Sequence, residues 1–286
     1  MKKRNDQAAS LRALTGDNVT SLDRPRRRVV AVTGGKGGIG KSTLALNLAL
    51  AWSRRGARTL AVDGDAGMAD LNLLLGVAPE RSMADILEGT PAEEVLVEAH
   101  GVHLLPALNG SQRLANLEPD LRAQLFSEIG RLATKFDTVV IDTPAGITSG
   151  AMALAGAAAD VIVVANSEPL SLADAYACLK VLSKSEGLKS AYVLPNEVRS
   201  PSEADEIFGR LSALVDRFLD MEIAPLPAVP WDPAVSQAAV RGVPLLVEAP
   251  DSPASRALRQ AARRLDAFAI AAPPKGALAN FLQGAV

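Results

Sequence analysis

A run of glycines and lysines near the start of the chain has the clearest chemical potential. Residues 34–43 read GGKGGIGKST, and 35–42 fit the pattern G-x-x-x-x-G-K-[ST]. Glycine lets a backbone curl around phosphate groups and point its N–H groups at them. Lys41 would give the β- and γ-phosphates a positive charge, and Ser42 would offer its hydroxyl to Mg²⁺. The predicted ATP site contains Gly35, Gly37, Gly38, Ile39, Gly40, Lys41, Ser42 and Thr43.

Apolar runs that end in aspartate could complete such a site. One run ends at Asp63, and Asp65 follows it, so the two carboxylates would share a side of an extended chain. The run 138–142 ends at Asp142 and continues as Thr-Pro-Ala-Gly. An apolar strand with a terminal aspartate has the form of a Walker B strand, whose carboxylate holds the magnesium shell through water. We predict that Asp142 joins Ser42 at the metal.

Short apolar runs alternate with longer helical stretches along most of the chain. The predicted strands are 29–33, 59–63, 102–106, 138–142, 160–165, 190–195 and 222–229, and the predicted helices include 42–54, 121–135, 171–185, 203–219 and 252–267. This alternation predicts an α/β fold with a mostly parallel central sheet flanked by helices on both faces. Ligands of such sheets bind at the carboxyl ends of the strands, where the candidate residues lie.

Composition narrows the protein class. Of the 286 residues, 48% are apolar and 22% are charged, which is typical of a globular domain. The formal net charge of −2 argues against general affinity for nucleic acid. Cys178 is the single cysteine, which excludes an internal disulfide and argues against an iron–sulfur ATPase. The polar N-terminus predicts no signal peptide, so we expect a cytoplasmic protein.

Changes in composition divide the chain into three parts. Residues 1–27 are predicted to be a flexible arm that contains one short helix. Residues 28–270 would form the nucleotide-binding domain. Residues 271–286 would form a tail with a short amphipathic segment, whose apolar stripe is Leu278, Phe281 and Leu282. With little positive charge nearby, this stripe predicts only weak affinity for a membrane surface, such as the inner membrane at the cell pole.

The lysine that precedes the main phosphate loop marks a particular family. Residues 36–43 resemble the deviant Walker A loop of the MinD/ParA family, P-loop ATPases of the SIMIBI class, and the similarity extends over 29–268. The resemblance implies that Lys36 reaches the nucleotide of a second subunit in an ATP-bound homodimer. It also implies that Asp65 orients the attacking water and belongs to the metal site with Ser42 and Asp142, so that the catalytic set is Lys36, Lys41 and Asp65. Asp70 and Asn72 stand in the reverse of the usual family order, which leaves their roles open.

The resemblance also suggests which residues meet the base. Asn196 follows the run 190–195, and its amide could pair with the edge of adenine or simply cap a turn. The family places an asparagine beside the base at this point. The segment 229–232 is similar to another family segment near the base, which implies roles for Pro230 and Asp232.

The N-terminal arm points to one branch of the family. Asp6, Gln7, Ala8, Leu11 and Arg12 fit the D-Q-A-x-x-L-R motif of FlhG, also called FleN. The resemblance implies that this helix binds the signal-recognition-type GTPase FlhF and stimulates its hydrolysis, with Gln7 ordering water in the partner site. The expected function is an ATP-dependent switch that sets flagellar number or placement. A FleQ-type transcription regulator is a further expected partner.

Other functions remain compatible with the same ATPase domain. A helix with one arginine-rich face could contact DNA in a ParA-type partition protein, although a solvated face explains the pattern more simply. Its residues are Arg256, Arg259, Arg263 and Arg264, opposite Leu258, Ala261, Ala262, Leu265 and Phe268. We do not expect DNA binding. A scaffold that sequesters a transcription factor and a MinD-type septum-placing protein are the remaining alternatives.

Overall fold

A computed structural model describes residues 28–65, 70–108 and 118–267. The arm motif at residues 6–12 and the tail at 271–286 lie outside the described residues. The predictions made for those two segments therefore stay predictions.

The described residues build a nine-stranded sheet. Its strands are β1 (Arg28–Thr33), β2 (Thr59–Asp63), β3 (Val97–Ala99), β4 (Val102–Leu105), β5 (Thr138–Asp142), β6 (Asp160–Ala165), β7 (Ser190–Val198), β8 (Glu222–Pro225) and β9 (Val229–Pro230). Their order is β3-β4-β2-β5-β1-β6-β7-β8, and β9 pairs with β7. All the pairs are parallel except β3 with β4.

Helices cover both faces of this sheet. They are α1 (Lys41–Ser53), α2 (Leu71–Leu75), α3 (Met83–Leu87), α4 (Ala92–Val95), α5 (Pro119–Ala133), α6 (Ser149–Gly156), α7 (Pro169–Ser185), α8 (Pro201–Phe218), α9 (Pro233–Arg241), α10 (Leu245–Glu248) and α11 (Pro253–Ala267). Val29 and Ala31 of β1 enter one hydrophobic core, whereas Val30 and Val32 enter the other. Burial on both faces explains why the central strands are unbroken apolar runs. The predicted fold class is confirmed.

The structure corrects the predicted elements at several points. The run 222–229 is two short strands, because residues 226–228 leave the sheet before β9 pairs with β7. The strand 190–195 continues to Val198, so Asn196 lies within it, at an irregularity in the pairing with β9. The antiparallel strand β3 was not predicted, since three residues show no periodicity.

The arginine-rich helix has the predicted orientation. Leu258, Ala261, Ala262 and Leu265 are buried against the rest of the domain, whereas Arg256 and Arg263 are exposed. None of the described helices combines the length and the apolar character needed to cross a membrane.

Candidate functional site

The phosphate loop connects the buried strand β1 to helix α1. Gly40 is the residue before the first turn of that helix, and its φ of 85° lies in the left-handed region that side chains disfavour. No side chain caps the N-terminus of α1. Its free N–H groups and positive dipole end therefore remain available to an anion such as phosphate.

Close packing holds this loop in place. A Cβ atom on Gly35 would lie 2.4 Å from the carbonyl oxygen of Asp174, so a side chain cannot be accommodated there. Ile39 is buried in the core, and its carbonyl oxygen accepts a hydrogen bond of 2.9 Å from the Asn196 amide. The loop is consequently fixed from the core side and from β7, with its opposite surface left for a ligand.

A cavity of about 420 Å³ lies against the loop, and we name it the phosphate cavity. It is lined by Gly37, Gly38, Gly40, Lys41, Ser42, Thr43, Asp65, Asp70, Leu73, Leu74, Ala145 and Ala239. Burial lowers the pKa of Lys41, and the nearby carboxylates of Asp142 and Asp65 oppose that shift. The Lys41 ammonium lies 3.2 Å from the carbonyl oxygen of Lys36. Lys41, a buried cation, thus faces a cavity large enough for a phosphate chain.

Asp142 ends β5 beside Lys41 and Ser42, which line this cavity. Burial raises the pKa of its carboxyl to about 7, and the neighbouring Ser42 and Lys41 partly oppose the shift. Neither carboxylate oxygen makes a hydrogen bond of ordinary geometry within the described part of the chain. A buried carboxylate left without a firm partner, next to a serine hydroxyl, suits a hydrated magnesium ion bound to phosphate.

Asp63 and Asp65 differ in environment, although sequence spacing suggested a shared side. Asp63 is buried, and its two carboxylate oxygens accept from the backbone N–H groups of Asp65 at 3.2 Å and Leu71 at 3.3 Å. Burial, with Asp142 nearby, raises the pKa of Asp63 to about 8. Asp65 instead lines the cavity. Asp63 therefore supports the loop that presents Asp65.

The reversed Asp70 and Asn72 pair has separate environments as well. Asp70 lines the phosphate cavity, where burial and the charge of Asp65 raise its pKa against the effect of Lys41. The side-chain oxygen of Asn72 is buried, and it has no hydrogen-bond partner within residues 28–65, 70–108 and 118–267. In this chain the acidic member of the pair is the one that lines the cavity.

Lys36 takes a different direction from Lys41. Its ammonium pairs with the carboxylate of Glu168, the residue that precedes helix α7. Lys36 is absent from the residues that line the phosphate cavity. The loop therefore places Lys41 at the phosphate cavity and Lys36 beside Glu168.

A second cavity of about 140 Å³ adjoins the first. Both are lined by Gly40, Thr43 and Ala239, so a ligand could extend from one into the other. Further lining residues of the second cavity are Leu44, Asn196, Glu197, Val229, Pro230, Trp231, Asp232, Val235, Ser236, Leu245 and Leu258. This mostly apolar space suits the base of a nucleotide, and we name it the base pocket.

Asp232 in the base pocket already has structural partners. Its carboxylate accepts 3.0 Å hydrogen bonds from the N–H groups of Ala234 and Ala254, at the N-termini of α9 and α11. Burial alone would raise the pKa of Asp232, but these amide donors outweigh it and keep the pKa below its ordinary value. Asp232 thus shapes the pocket by joining two helices, whether or not it also touches the base.

Comparison with known proteins agrees with this geometry. The ParA family model, described as the NUBPL iron-transfer P-loop NTPase, matches residues 26–266. The chain belongs to the ParA family. The antiactivator FleN of Pseudomonas aeruginosa is 36% identical over 258 residues, which cover 90% of this chain and 92% of that protein. The predicted resemblance to the MinD/ParA family and its flagellar branch is confirmed.

Two other ParA-family relatives extend the comparison. The flagellum site-determining protein YlxH of Helicobacter pylori is 29% identical and covers 72% of this chain and 71% of its own length. The septum site-determining protein MinD of Pyrococcus horikoshii, solved in complex with Mg-ADP, superposes with a TM-score of 0.70 at 28% identity. That structure covers 84% of this chain and 96% of its own chain. The single cysteine of this ParA-family chain, Cys178, is fully buried, which does not suit an exposed iron site.

Sequence reasoning missed several residues of this ParA-family site. Glu168 holds Lys36, yet no local motif distinguishes it from other glutamates that precede a helix. Trp231 lines the base pocket and is 61% exposed. Its position inside the segment 229–232 was the available signal, since an exposed tryptophan beside proline is uncommon on a plain surface.

Proposed function

We propose that the chain is a magnesium-dependent ATPase that dimerises on ATP and regulates flagellar number or placement. The observation that carries the proposal is the division between Lys41, which faces the phosphate cavity, and Lys36, which does not. The Mg-ADP bound to the Pyrococcus MinD relative supports ATP and Mg²⁺ as the cofactors. The FleN and YlxH relatives support the flagellar role.

The proposed role of each site residue follows from its position. Loop amides and Lys41 would bind the phosphates, and Asp142 with Ser42 would hold the hydrated magnesium, which neutralises phosphate charge when bound. Asp65 on the cavity wall would position the attacking water. Lys36 would leave Glu168 and reach the nucleotide of a second copy, so that each active site is completed by its partner.

Matched lysine variants test the dimer. Light scattering after gel filtration would measure mass with and without a non-hydrolysable ATP analogue. Unaltered protein should double its mass, Lys36→Ala should bind the analogue yet stay monomeric, and Lys41→Ala should not bind it. Doubling by Lys36→Ala to the same extent as unaltered protein would reject the proposed role of Lys36.

The arm motif supports stimulation of a signal-recognition-type GTPase of the FlhF kind. The full chain should accelerate GTP hydrolysis by such a partner, and Gln7→Ala should remove most of that acceleration while leaving ATP binding unchanged. The matched control is Asn5→Ala, just outside the motif. No acceleration by the unaltered chain would remove the GTPase partner from the proposal and leave the ATPase switch.

The name of the FleN relative, an antiactivator, supports a transcription activator of the FleQ type as the other partner. On this proposal the protein acts in the cytoplasm. It contacts the inner membrane or cell pole weakly, through the tail. Co-purification of full-length protein with a FleQ-type activator, in the presence and absence of ATP, would test the contact directly.

A positioning ATPase of the MinD or ParA type is the second candidate, favoured by the MinD superposition. ATP-dependent binding to arbitrary duplex DNA that weakens steeply with salt would support the ParA form. The guanidinium groups of Arg256 and Arg259 donate to the backbone carbonyls of Asp251 and Pro250, which ties them to their own domain. With these two arginines engaged and a formal net charge of −2 for the chain, we expect DNA binding to be absent.

A further inference from the structure

Asn166 connects two regions that the nucleotide and the partner would use. It follows β6 and is only 7% exposed. Its backbone N–H donates to the Ser171 hydroxyl at 3.1 Å, and its side-chain oxygen accepts from the backbone N–H of Glu168 at 3.3 Å. Its side-chain nitrogen donates to a carboxylate oxygen of Glu197 at 3.5 Å. One buried amide therefore reaches both the residue that holds Lys36 and the wall of the base pocket.

On the base-pocket side, Glu197 has an unusual backbone. Its φ is 59°, in the left-handed region that residues other than glycine seldom adopt, and it lines the pocket. Strain of this kind persists where surrounding contacts impose it, and such positions concentrate at ligand sites. The contact with Asn166 is long, so a better donor on a nucleotide could displace it.

On the lysine side, the segment that starts at Asn166 lies under the phosphate loop. Glu168 pairs with Lys36, and the backbone of Asp174 packs so closely on Gly35 that a Cβ atom would not fit. The N-terminal part of α7, up to Asp174, and the loop thus form one packed unit. A change in the hydrogen bond between Asn166 and the Glu168 backbone would act on Lys36 through the position of Glu168.

We propose that Asn166 is a positioning residue that couples occupancy of the base pocket to release of Lys36 from Glu168. The inference rests on the proposed dimerising switch and adds a control to it. The exocyclic amine of adenine, or a ribose hydroxyl, donates to Glu197 in place of Asn166. The freed amide then loosens Glu168, and Lys36 becomes available to the nucleotide of the second copy. The nucleotide favours the released state because that state offers it the Glu197 oxygen that Asn166 otherwise contacts.

The experiment compares a ligand that has a base with one that lacks it. Dimerisation midpoints would be measured for a non-hydrolysable ATP analogue and for magnesium tripolyphosphate. Each midpoint is the ligand concentration at half-maximal dimerisation. It would be divided by the dissociation constant of the same ligand for the monomeric Lys36→Ala variant. The normalised midpoint of tripolyphosphate divided by that of the ATP analogue then reports how far the base promotes dimerisation beyond its effect on binding. For unaltered protein we expect about fivefold, the value of one hydrogen bond.

Three variants decide the outcome. Asn166→Ala and Glu197→Ala should both reduce the ratio to about onefold, because each removes one side of the link. The control Glu222→Ala, an exposed residue on β8, should keep the ratio of unaltered protein. Glu197 is itself exposed, so its variant tests the link even where Asn166→Ala fails to fold. Melting temperatures would be recorded for all variants.

The possible results separate the two proposals. A ratio near fivefold that survives in folded Glu197→Ala overturns the role of Asn166. A ratio near onefold in unaltered protein overturns it as well, although dimerisation on ATP would still support the switch. Failure of unaltered protein to dimerise with the ATP analogue would reject the switch, and the coupling with it.

Discussion

The phosphate cavity and the base pocket differ in what they leave open to a ligand. At the phosphate cavity, the Lys41 ammonium and the neighbouring Asp142 carboxyl are buried ionisable groups whose pKa values are shifted by burial. In the base pocket, two of the polar side chains are already engaged: Asn196 holds the carbonyl of Ile39, and Asp232 joins two helix N-termini. The phosphate cavity therefore binds a ligand mainly through charge, and the base pocket mainly through complementary shape.

This difference assigns separate tasks to the two regions. Charges held in a partly buried cavity interact strongly with a phosphate chain, so affinity and catalysis should depend on that end. A mostly apolar pocket with few free polar atoms discriminates by fit, and each of its contacts contributes modestly. Substitutions in the phosphate cavity should therefore have larger effects on binding and turnover than those in the base pocket.

The largest effect should follow Lys41→Ala. It removes the cation that faces the phosphate cavity and leaves the carboxylates of Asp65 and Asp142 without its opposing charge. ATP turnover should fall about 100-fold or more. Steady-state hydrolysis and calorimetric binding would measure the loss. The control Lys189→Ala removes an exposed lysine that pairs only with Asp220 in the described structure and should change neither value. Turnover above a tenth of normal would contradict the assignment.

The next effect concerns the boundary between the two regions. In Gly40→Ala the new Cβ atom would lie 2.6 Å from the side-chain nitrogen of Asn196, at a φ of 85°. The free energy of unfolding should fall by about 2 kcal/mol, and ATP affinity should fall with it. Gly56→Ala is the matched control, because Gly56 has a φ of 90° and nothing within 4 Å of a new Cβ. Equal destabilisation by both variants in urea titrations would show that the Asn196 contact is unimportant.

The same division explains what the sequence could predict. The phosphate loop, β1 and α1 are contiguous, and Asp142 ends a strand paired in register with β1, so short motifs indicate their positions. The base pocket is assembled from α1, β7, β9, α9, α10 and α11, which are far apart in sequence. No local pattern specifies such an assembly. Its members Asn196, Pro230 and Asp232 were identified only through a family resemblance.

Side-chain partners were the least predictable feature. Spacing placed Asp63 and Asp65 on one side, but the strand ends at Asp63 and the chain then turns, with the amide of Asp65 bonded to the Asp63 carboxylate. Helix α9 was not predicted, although Asp232 and Pro233 at its start form a local signal for a helix N-terminus. Both cases depend on local hydrogen bonds of aspartate side chains to backbone N–H groups, which residue spacing alone does not show.

A moderate effect should appear in the pH dependence of Mg·ATP binding at the phosphate cavity. Burial raises the pKa of Asp142 to about 7, so this carboxyl is largely protonated below that pH and must lose its proton to hold magnesium. The affinity for Mg·ATP should therefore increase about tenfold per pH unit as the pH rises toward 7, and then level off. Calorimetry from pH 5.5 to 8.5 would measure it. Binding of ATP in excess chelator should show a weaker slope, and equal slopes would contradict the assignment.

The smallest effect should come from the base pocket, at Trp231. Its side chain is 61% exposed and lies on the wall of the pocket, so Trp231→Ala removes aromatic contact without opening the core. ATP affinity should fall about threefold, and tripolyphosphate affinity should stay the same, because tripolyphosphate does not reach the base pocket. Phe218→Ala, which removes an aromatic ring of 53% exposure on α8, should leave both affinities unchanged. A loss of equal size for both ligands would mean that Trp231 acts on the phosphate loop, and the two regions would not be separable as described.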